Sequence, residues 1–181
     1  MSPDPCPLVV DLDGTLIRGD SSRQALLRVL VRWPWRGLRV LAWWRRGGRA
    51  RAKAGLLRWS PCRPERLRWH RDVLAFIDAQ RRAGRTLVLA TGADRRTAAA
   101  VAAHLGGFAR VLASDGRGNL IGAAKRDALL RLFGAKGFDY LGDSRADRCV
   151  WAVARQALVV GGRDPGVPCV QRFRGVSDAA G

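Results

Sequence analysis

The sequence predicts an α/β fold: a mostly parallel sheet with helices on both faces and a small helical insert. Three observations support this prediction. Short apolar runs, typical of buried strands, alternate with segments of helical periodicity. Three of the runs end at residues suited to chemistry, namely Asp11, Thr91 and Asp143. The segment 21–63 interrupts the alternation with a composition of its own. A chain of 181 residues is long enough for one domain of this kind.

The predicted strands are the short apolar runs that stop at polar or glycine-containing turns. They are Leu8–Val10, Leu87–Ala90, Phe108–Ala113, Phe138–Leu141 and Ala157–Val160. In open α/β sheets, ligands bind at the carboxyl ends of the strands. We therefore expect Asp11, Thr91 and Asp143, which are distant in sequence, to meet in one crevice.

Helical periodicity predicts the elements between the strands. The predicted helices are Pro64–Arg82, Asp94–Leu105, Lys125–Phe133 and Arg145–Arg155. Asp94 is the expected N-cap of its helix. In Lys125–Phe133, we expect Ala128, Leu129 and Leu132 on one side. The tail after Gly161 is rich in Gly and Pro, and we expect it to be loose beyond Phe173.

Residues 21–63 are predicted to form a helical, Trp/Arg-rich cap, and residues 1–20 and 64–181 to form the core. The insert holds five of the seven tryptophans and no acidic residue. Two interpretations remain open. Its tryptophans pack on one another beneath solvated arginines, or the insert faces an anionic membrane, because tryptophan suits the bilayer interface and arginine suits anionic headgroups. In the second case, Trp33/Trp35 and Trp43/Trp44 would be the anchors.

Composition restricts the partners and the compartment. The net charge is +18, with 30 arginines and 3 lysines, so the surface attracts phosphates, nucleic acid or anionic lipid. Nucleic acid is not an expected partner, because no known nucleic-acid-binding module is present. The four cysteines are scattered without a CxxC pair, which argues against zinc and a disulfide framework. The first ten residues lack a signal-peptide pattern, so we expect a cytoplasmic protein, with a peripheral position at a membrane as the alternative.

Asp11 and Asp13 form the first part of a predicted phosphate-hydrolysing site. Asp11, at a strand end, can attack phosphorus and form an aspartyl-phosphate. Asp13 projects to the same side two residues later and can protonate the leaving group, then deprotonate the attacking water. Neighbouring carboxylates raise a carboxyl pKa in the direction that this role needs. Gly14 permits a sharp turn near the phosphate, and Thr15 belongs to the same predicted substrate-binding loop.

The remaining site residues supply a metal site and positive charge. Mg²⁺ prefers a few oxygen ligands, and Asp11, the backbone carbonyl of Asp13, and Asp143 can supply them. Asp147 follows four residues later and could support the metal indirectly. A surface ion pair between Asp147 and Arg148 is the alternative for that residue. Thr91, with Gly92 beside it, can bind a phosphoryl oxygen. Lys125 can offset the repulsion between nucleophile and phosphate.

These residues occur in four motifs that resemble those of the haloacid dehalogenase (HAD) superfamily. The motifs are Asp11-Leu12-Asp13-Gly14-Thr15-Leu16, then Thr91 after an apolar strand, Lys125, and Gly142-Asp143-Ser144-Arg145-Ala146-Asp147. The resemblance covers about residues 7–160. It implies a Rossmann-like core, Mg²⁺ and the roles given above. Asp13 indicates the phosphatase branch, and the insert resembles a C1 cap.

A narrower resemblance is to HAD domains fused to UbiA-type prenyltransferases. The segments that carry it are Arg85–Thr91, Ala113–Gly116, Asn119–Lys125 and Gly137–Tyr140. In those fusions a multi-helix membrane domain follows the phosphatase domain, whereas this sequence ends at Gly181. The resemblance implies a stand-alone version or a fragment, with a UbiA-type prenyltransferase as a candidate partner.

Two functions are compatible with this sequence. The first is a Mg²⁺-dependent phosphomonoesterase acting on a phosphorylated small molecule or a lipid-linked, prenyl-pathway phosphate. The second is a basic membrane- or nucleic-acid-binding protein with a vestigial site; the intact set of Asp11, Asp13, Lys125 and Asp143 favours the first. His70, His104 and Asp115 are expected to be structural, Asp115 within an Asp-Gly turn.

Overall fold

The sheet of this computed structural model has six parallel strands in the order β3-β2-β1-β4-β5-β6. The structure describes residues 6–36, 38–40, 42, 45, 55, 59–115 and 118–174. The strands are β1 Leu8–Val10, β2 Leu87–Asp94, β3 Phe108–Ser114, β4 Asp139–Gly142, β5 Ala157–Val160 and β6 Cys169–Phe173. The helices are α1 Ser21–Arg32, α2 Arg71–Arg82, α3 Arg95–Leu105, α4 Ala123–Phe133 and α5 Arg148–Trp151, with 3₁₀ turns at Pro64–Arg66 and Arg145–Asp147. The predicted α/β class and parallel sheet are confirmed.

The central strand β1 is buried along its whole length because both sheet faces are covered. Leu8 and Val10 belong to one hydrophobic cluster, with Leu89 and Leu141. Val9 belongs to the cluster on the opposite face, with Leu129 and Tyr140. This explains why the strands read as continuous apolar runs rather than as alternating patterns. Parallel pairing places the last residue of β1 beside Leu89 and Leu141, so the loops that follow these strands start at the same edge.

Several predicted boundaries were wrong. The helix predicted from Pro64 begins at Arg71, because Trp69 pairs with Ile17 in an antiparallel bridge after the 3₁₀ turn. The helix predicted for Arg145–Arg155 is a 3₁₀ turn followed by four α-helical residues. Strand β2 continues through Asp94 instead of stopping at Ala90.

Other differences concern burial and the end of the chain. In α4, Leu129 is buried and Ala128 half-buried, as expected, but Leu132 is 39% exposed. Strand β6 was missed: its three middle residues are exposed, and only Phe173 is buried enough to give an apolar signal. Phe173 packs on Phe76 of α2, with ring centroids 5.1 Å apart.

The described part of the insert includes α1 and further helical residues such as 38–40, and it has a small cluster of its own. Ala25 and Val29 are buried against Val40 and Trp59. The Arg36 guanidinium lies over Trp33 at 4.3 Å from the ring centroid, and over Trp59 at 5.0 Å. Trp35 is instead 64% exposed. The predicted anchors Trp43 and Trp44 lie outside the described residues, and the proposed division into core and cap stays a prediction.

None of the helices in the described ranges is both long and apolar enough to cross a bilayer. Asp94 caps α3 as predicted, since its carboxylate accepts a hydrogen bond from Arg96 N at 2.9 Å. Asp115 accepts one from Gly118 N at 2.9 Å, which fits its expected turn role.

Candidate active site

A pocket of about 500 Å³ opens where β1, β2 and β4 end. Eight of the nine site residues predicted from sequence contribute to its lining. They are Asp11, Asp13, Gly14, Thr91, Gly92, Lys125, Asp143 and Asp147. The ninth, Thr15, is fully buried beside the pocket. The convergence expected from the strand ends is therefore present.

Asp11 and Lys125 form a buried ion pair at the base of this pocket. Lys125 Nζ lies 3.1 Å from Asp11 Oδ1, and both side chains are less than a tenth exposed. Asp11 directly follows β1, and its backbone N–H donates to Leu141 O of β4 at 2.9 Å. Burial opposes the charge on Lys125, but Asp11 and Asp147 outweigh this effect and raise the pKa of the amine. Lys125 therefore carries a positive charge beside the Asp11 carboxylate.

Asp147 lies at the centre of a hydrogen-bond network that sequence reasoning found only in part. Its Oδ1 accepts from Tyr140 Oη at 2.6 Å and from Lys125 Nζ at 3.2 Å. Its Oδ2 accepts from Ser144 Oγ at 2.6 Å and from Ser144 N at 3.0 Å. Asp147 is fully buried, which excludes the surface pair with Arg148. Arg148 pairs with Asp164.

Tyr140 and Ser144 were not predicted as site residues. Lys125 Nζ also donates to Tyr140 Oη at 2.8 Å, so the phenol links the lysine to Asp147. Tyr140 lies in the buried strand β4 and looks like a core aromatic in the sequence. For Ser144 a signal was available, because Ser144 and Asp147 form a capping box at the 3₁₀ turn.

Asp143 is held by the loop that follows β1. Thr15 Oγ1 donates to Asp143 Oδ1 at 3.2 Å. Gly14 has φ +79°, and a Cβ at this position would lie 2.1 Å from Asp143 Oδ2. Glycine is therefore required both by the backbone conformation and by the approach of the carboxylate. The Thr15 hydroxyl faces Asp143, and the expected role of Thr15 in substrate binding stays a prediction.

Asp13 connects the site to the insert. Its Oδ1 accepts a hydrogen bond of 2.7 Å from the backbone N–H of Ser21, the first residue of α1. Asp13 also takes part in a backbone bridge to Ile17. The side chain proposed for proton transfer is thus fixed at the point where the insert begins.

Thr91 and Gly92 line the side of the pocket that β2 provides. Thr91 is fully buried, and its Oγ1 accepts from Ala93 N at 3.0 Å. Since one lone pair is used in this way, the hydroxyl proton can be directed to a bound oxyanion. A Cβ on Gly92 would lie 2.4 Å from Ile121 Cγ1, so this wall has no room for a side chain.

Three carboxylates lie close enough to share a cation. One oxygen each from Asp11, Asp143 and Asp147 can be chosen so that all lie within 4.8 Å of one another. Burial raises the pKa of Asp11, Lys125 opposes this rise, and Asp147 and Asp143 add to it. Burial and the charge of Asp147 raise the pKa of Asp143 to about 6, against the Thr15 hydrogen bond. The single charge of Lys125 does not neutralise these three carboxylates. Their oxygen atoms are hard donors, which fit a divalent cation.

The mouth of the pocket holds three residues that the sequence did not reveal. Asp20 and Arg23 belong to the start of α1, and Ile121 lies opposite Gly92. Arg23 N donates to the Asp20 carboxylate at 2.9 Å, which caps α1. Asp20 and Arg23 reach the pocket because the insert begins there, and Ile121 reaches it because the segment before α4 packs against Gly92.

Comparisons with known proteins agree with this geometry. Protein y4nM of Sinorhizobium fredii, which is uncharacterised, is 37% identical over 155 residues, covering 86% of this chain and 30% of the relative. The chain thus spans less than a third of that relative. A HAD family hydrolase structure from Salmonella enterica has a TM-score of 0.65 at 14% identity, covering 96% of this chain and 71% of the other. An apo phosphoserine phosphatase has a TM-score of 0.63 at 12% identity, covering 93% and 92%. At such identities the structures establish the fold alone.

A match to a protein-family model shows the family to which the chain belongs. The model of the haloacid dehalogenase-like hydrolases matches residues 8–151, which contain the four motifs and the residues of the pocket. The chain therefore belongs to the haloacid dehalogenase-like hydrolase family.

Proposed function

We propose that the protein is a Mg²⁺-dependent phosphomonoester hydrolase that forms an aspartyl-phosphate at Asp11. The observation that carries this proposal is the buried Asp11 carboxylate at the base of an open pocket, 3.1 Å from Lys125 Nζ and beside Asp143. A carboxylate, an ammonium group and further carboxylates around one point suit phosphoryl transfer. The similarity to a phosphoserine phosphatase structure is in keeping with this chemistry.

The carboxylates of Asp11 and Asp143, with the backbone carbonyl of Asp13, would hold the metal. Asp147 already accepts four hydrogen bonds from Lys125, Tyr140 and Ser144, so its role is to position Lys125 and the loop of Asp143. Mg²⁺ supplies positive charge to the phosphoryl oxygens when it is bound.

The chain's own residues account for both half-reactions. An Asp11 carboxylate oxygen attacks phosphorus while the bond to the leaving oxygen breaks, and Asp13 gives its proton to that oxygen. Asp13 then takes a proton from water as the water oxygen attacks the phosphorus. The bond between Asp11 and phosphorus breaks, and inorganic phosphate leaves. Overall, one phosphomonoester and one water give one alcohol and one phosphate.

Lys125 and Thr91 bind the transferred group in this scheme. Lys125 is fixed by Asp147 and Tyr140, so its charge is already in place when a phosphate approaches Asp11. Thr91 donates its hydroxyl proton to a second phosphoryl oxygen. Such preorganised donors stabilise the transition state without reorganisation during the reaction.

A lipid-linked or prenyl-pathway phosphate remains the favoured substrate class. Val31, Trp35 and Leu38 of the insert are exposed apolar residues on an arginine-rich surface. Protein y4nM shows that a region like this chain occurs within a much longer protein. We extend the proposal to a peripheral position at a membrane and to a UbiA-type prenyltransferase as the partner. A soluble phosphate is the competing substrate class.

The test is hydrolysis of p-nitrophenyl phosphate by the wild type and by Asp11→Asn. The variant should lose roughly three orders of magnitude in kcat or more while keeping its fold, because an amide cannot attack phosphorus. Excess EDTA should silence the wild type, and added Mg²⁺ should restore it. Asp78→Asn, the same change at an exposed site on α2, should leave kcat unchanged. Substantial turnover by Asp11→Asn would rule out the covalent scheme.

The alternative function is a basic membrane- or nucleic-acid-binding protein with a vestigial site. It predicts that the wild type hydrolyses no phosphomonoester in a screen of sugar, nucleotide, amino-acid and isoprenoid phosphates at any Mg²⁺ concentration. The complete set of Asp11, Asp13, Lys125 and Asp143 around one pocket favours the enzyme.

A further inference from the structure

A second pocket, of about 720 Å³, lies outside the active-site pocket. It shares none of the lining residues of the first and is lined by Arg18, Arg68, Arg71, Arg174, Trp69 and Leu67, together with one acid, Asp72. Its volume is in the range of about 300–1,000 Å³ that small-molecule sites occupy.

The four arginines come from three parts of the chain that backbone contacts hold together. Ile17 and Trp69 form an antiparallel bridge, and Arg18 N donates to Arg68 O at 2.7 Å. Arg71 begins α2. Arg174 directly follows Phe173, whose ring packs on Phe76 of the same helix. The positive charge is therefore gathered by the fold and is not a run along one exposed segment.

No described carboxylate lies within ion-pair distance of the guanidinium groups of this pocket. Arg18, Arg68, Arg71 and Arg174 form no hydrogen bond or ion pair through their side chains with any described residue, whereas Arg81, Arg126 and Arg148 each pair with a carboxylate. Four arginines face one aspartate, so the lining carries a net positive charge. Arginine binds phosphate through two parallel hydrogen bonds, which suits a cluster of this kind.

We propose that this pocket binds an anion bearing two or more phosphate groups. A single phosphate dianion would leave the lining positive, while an oligophosphate can engage several guanidinium groups at once. Leu67 and the half-buried Trp69 give the pocket an apolar wall against which the non-phosphate part of a ligand can pack. The same chemistry is available in a free oligophosphate and in a phosphorylated lipid headgroup.

The test compares two double variants that remove the same charge. Arg68→Ala/Arg71→Ala alters the pocket, and Arg110→Ala/Arg131→Ala alters exposed positions on β3 and α4. Both are made in the Asp11→Asn background, so that turnover does not interfere. Binding of inorganic tripolyphosphate is measured by calorimetry at physiological salt with EDTA. We expect the pocket variant to bind roughly tenfold more weakly or worse and the control less than twofold more weakly.

A vesicle arm separates the two sources of the ligand. Phosphatidylcholine vesicles with a small fraction of phosphatidylinositol bisphosphate should retain the Asp11→Asn protein if a headgroup fits, and tripolyphosphate should compete. Equal losses in both double variants would overturn the proposal, because net charge alone would then explain binding. Absence of binding to both probes would also overturn it. With Asp11 intact, Arg68→Ala/Arg71→Ala should hydrolyse p-nitrophenyl phosphate normally, so the proposal can fail independently of the proposed enzyme activity.

Discussion

Tyr140 shows what a motif cannot reveal at the scale of single residues. The positions of Asp11, Lys125 and Asp143 could be predicted because each occurs in a motif at a strand or helix end. Tyr140 could not, since an aromatic residue in a buried strand is usually core, and its role depends on Lys125 and Asp147 reaching it across the fold. Side-chain partners of this type are set by tertiary packing and have no local sequence signal.

Removing the Tyr140 hydroxyl should therefore slow catalysis without weakening substrate binding. In Tyr140→Phe, Asp147 loses a 2.6 Å hydrogen bond and Lys125 loses one of 2.8 Å, so the ammonium group is less well fixed beside Asp11. We expect kcat for p-nitrophenyl phosphate to fall about tenfold, with KM changed by less than about twofold. Trp151→Phe, a change in the neighbouring ring of the same cluster, is the control for a general packing defect. Equal effects of both variants on kcat would assign Tyr140 to the core alone.

His70 is buried, and neither ring nitrogen has a hydrogen-bond partner among the described residues. Burial lowers the pKa of His70, Arg18 lowers it further, and Asp72 opposes this. The folded state then resists protonation of His70. The free energy of unfolding is therefore not reduced by this residue at pH values above the ordinary histidine pKa of about 6.5, and it declines as the pH falls below that value.

We expect His70→Phe to remove this dependence. Urea unfolding at pH 7.5 and pH 5 should show the wild type losing stability toward acid, and His70→Phe losing less. His104→Phe replaces a histidine that stacks on Trp69 at 5.9 Å and serves as the matched control. The explanation fails if wild type and His70→Phe lose equal stability between the two pH values.

At the scale of elements, periodicity predicted the core strands but not the exposed or irregular segments. The runs that became β1, β2, β4 and β5 are apolar because the sheet is covered on both faces along these strands. Strand β3, at one edge, was predicted although three of its residues are exposed. Strand β6 is at the sheet edge, and its exposed middle residues do not need apolar side chains. The segment 64–70 has helical composition, but it forms only the 3₁₀ turn at Pro64–Arg66, and the bridge between Ile17 and Trp69 delays the α-helix until Arg71. Tertiary pairing overrode local propensity there.

The described residues of the insert support parts of both interpretations of its role. Trp33 and Trp59 are covered by Arg36, which fits a self-packed cap. Val31, Trp35 and Leu38 are 85%, 64% and 74% exposed, which fits contact with a membrane interface. The arginines around them would add attraction to anionic lipid that salt weakens.

We predict salt-sensitive co-sedimentation with anionic liposomes that depends on these exposed residues. Trp35→Ala/Leu38→Ser should reduce the bound fraction at low salt severalfold, because it removes apolar area available to the bilayer interface. Val111→Ser/Val170→Ser, on the edge strands β3 and β6, is the matched control and should bind as the wild type does. Protein that stays in the supernatant at low salt, or equal binding by all three forms, would favour a soluble substrate.

At the scale of the whole molecule, strand order explains why distant motifs form one site. Strand β1 lies between β2 and β4, so the residues after these three adjacent strands meet at one edge. The sequence could predict that the site lies at the carboxyl ends of the strands, since Asp11, Thr91 and Asp143 each follow an apolar run. The order of the strands was not readable from the runs themselves.

The opposite end of the sheet is held by one buried carboxylate. Asp139, at the start of β4, is fully buried and accepts hydrogen bonds from Arg85, just before β2, and from Arg155, just before β5. Arg85 Nε also donates to Cys6 O ahead of β1 at 2.7 Å. Burial alone would raise the pKa of Asp139, but the hydrogen bonds from Arg155 and Arg85 outweigh it and hold the pKa below its usual value. The charged carboxylate thus joins the amino ends of neighbouring strands.

Asp139→Asn should therefore destabilise the whole domain at neutral pH without altering the chemistry of the pocket. The substitution leaves the Arg85 guanidinium buried without its charged partner, which costs about 3 kcal/mol in the free energy of unfolding. Because the folded pKa is lowered, the contribution of Asp139 is complete above the ordinary aspartate pKa of about 3.9 and is lost as the pH falls through the folded value. The difference between wild type and variant, measured by urea unfolding, should be large at pH 7 and smaller near pH 3.

Asp78→Asn, the control, breaks an exposed pair with Arg81 and should cost less than about 1 kcal/mol at either pH. A difference for Asp139→Asn that is as small as that of Asp78→Asn, or one that does not shrink toward acid, would show that the amino ends of the strands are held by packing and backbone pairing instead.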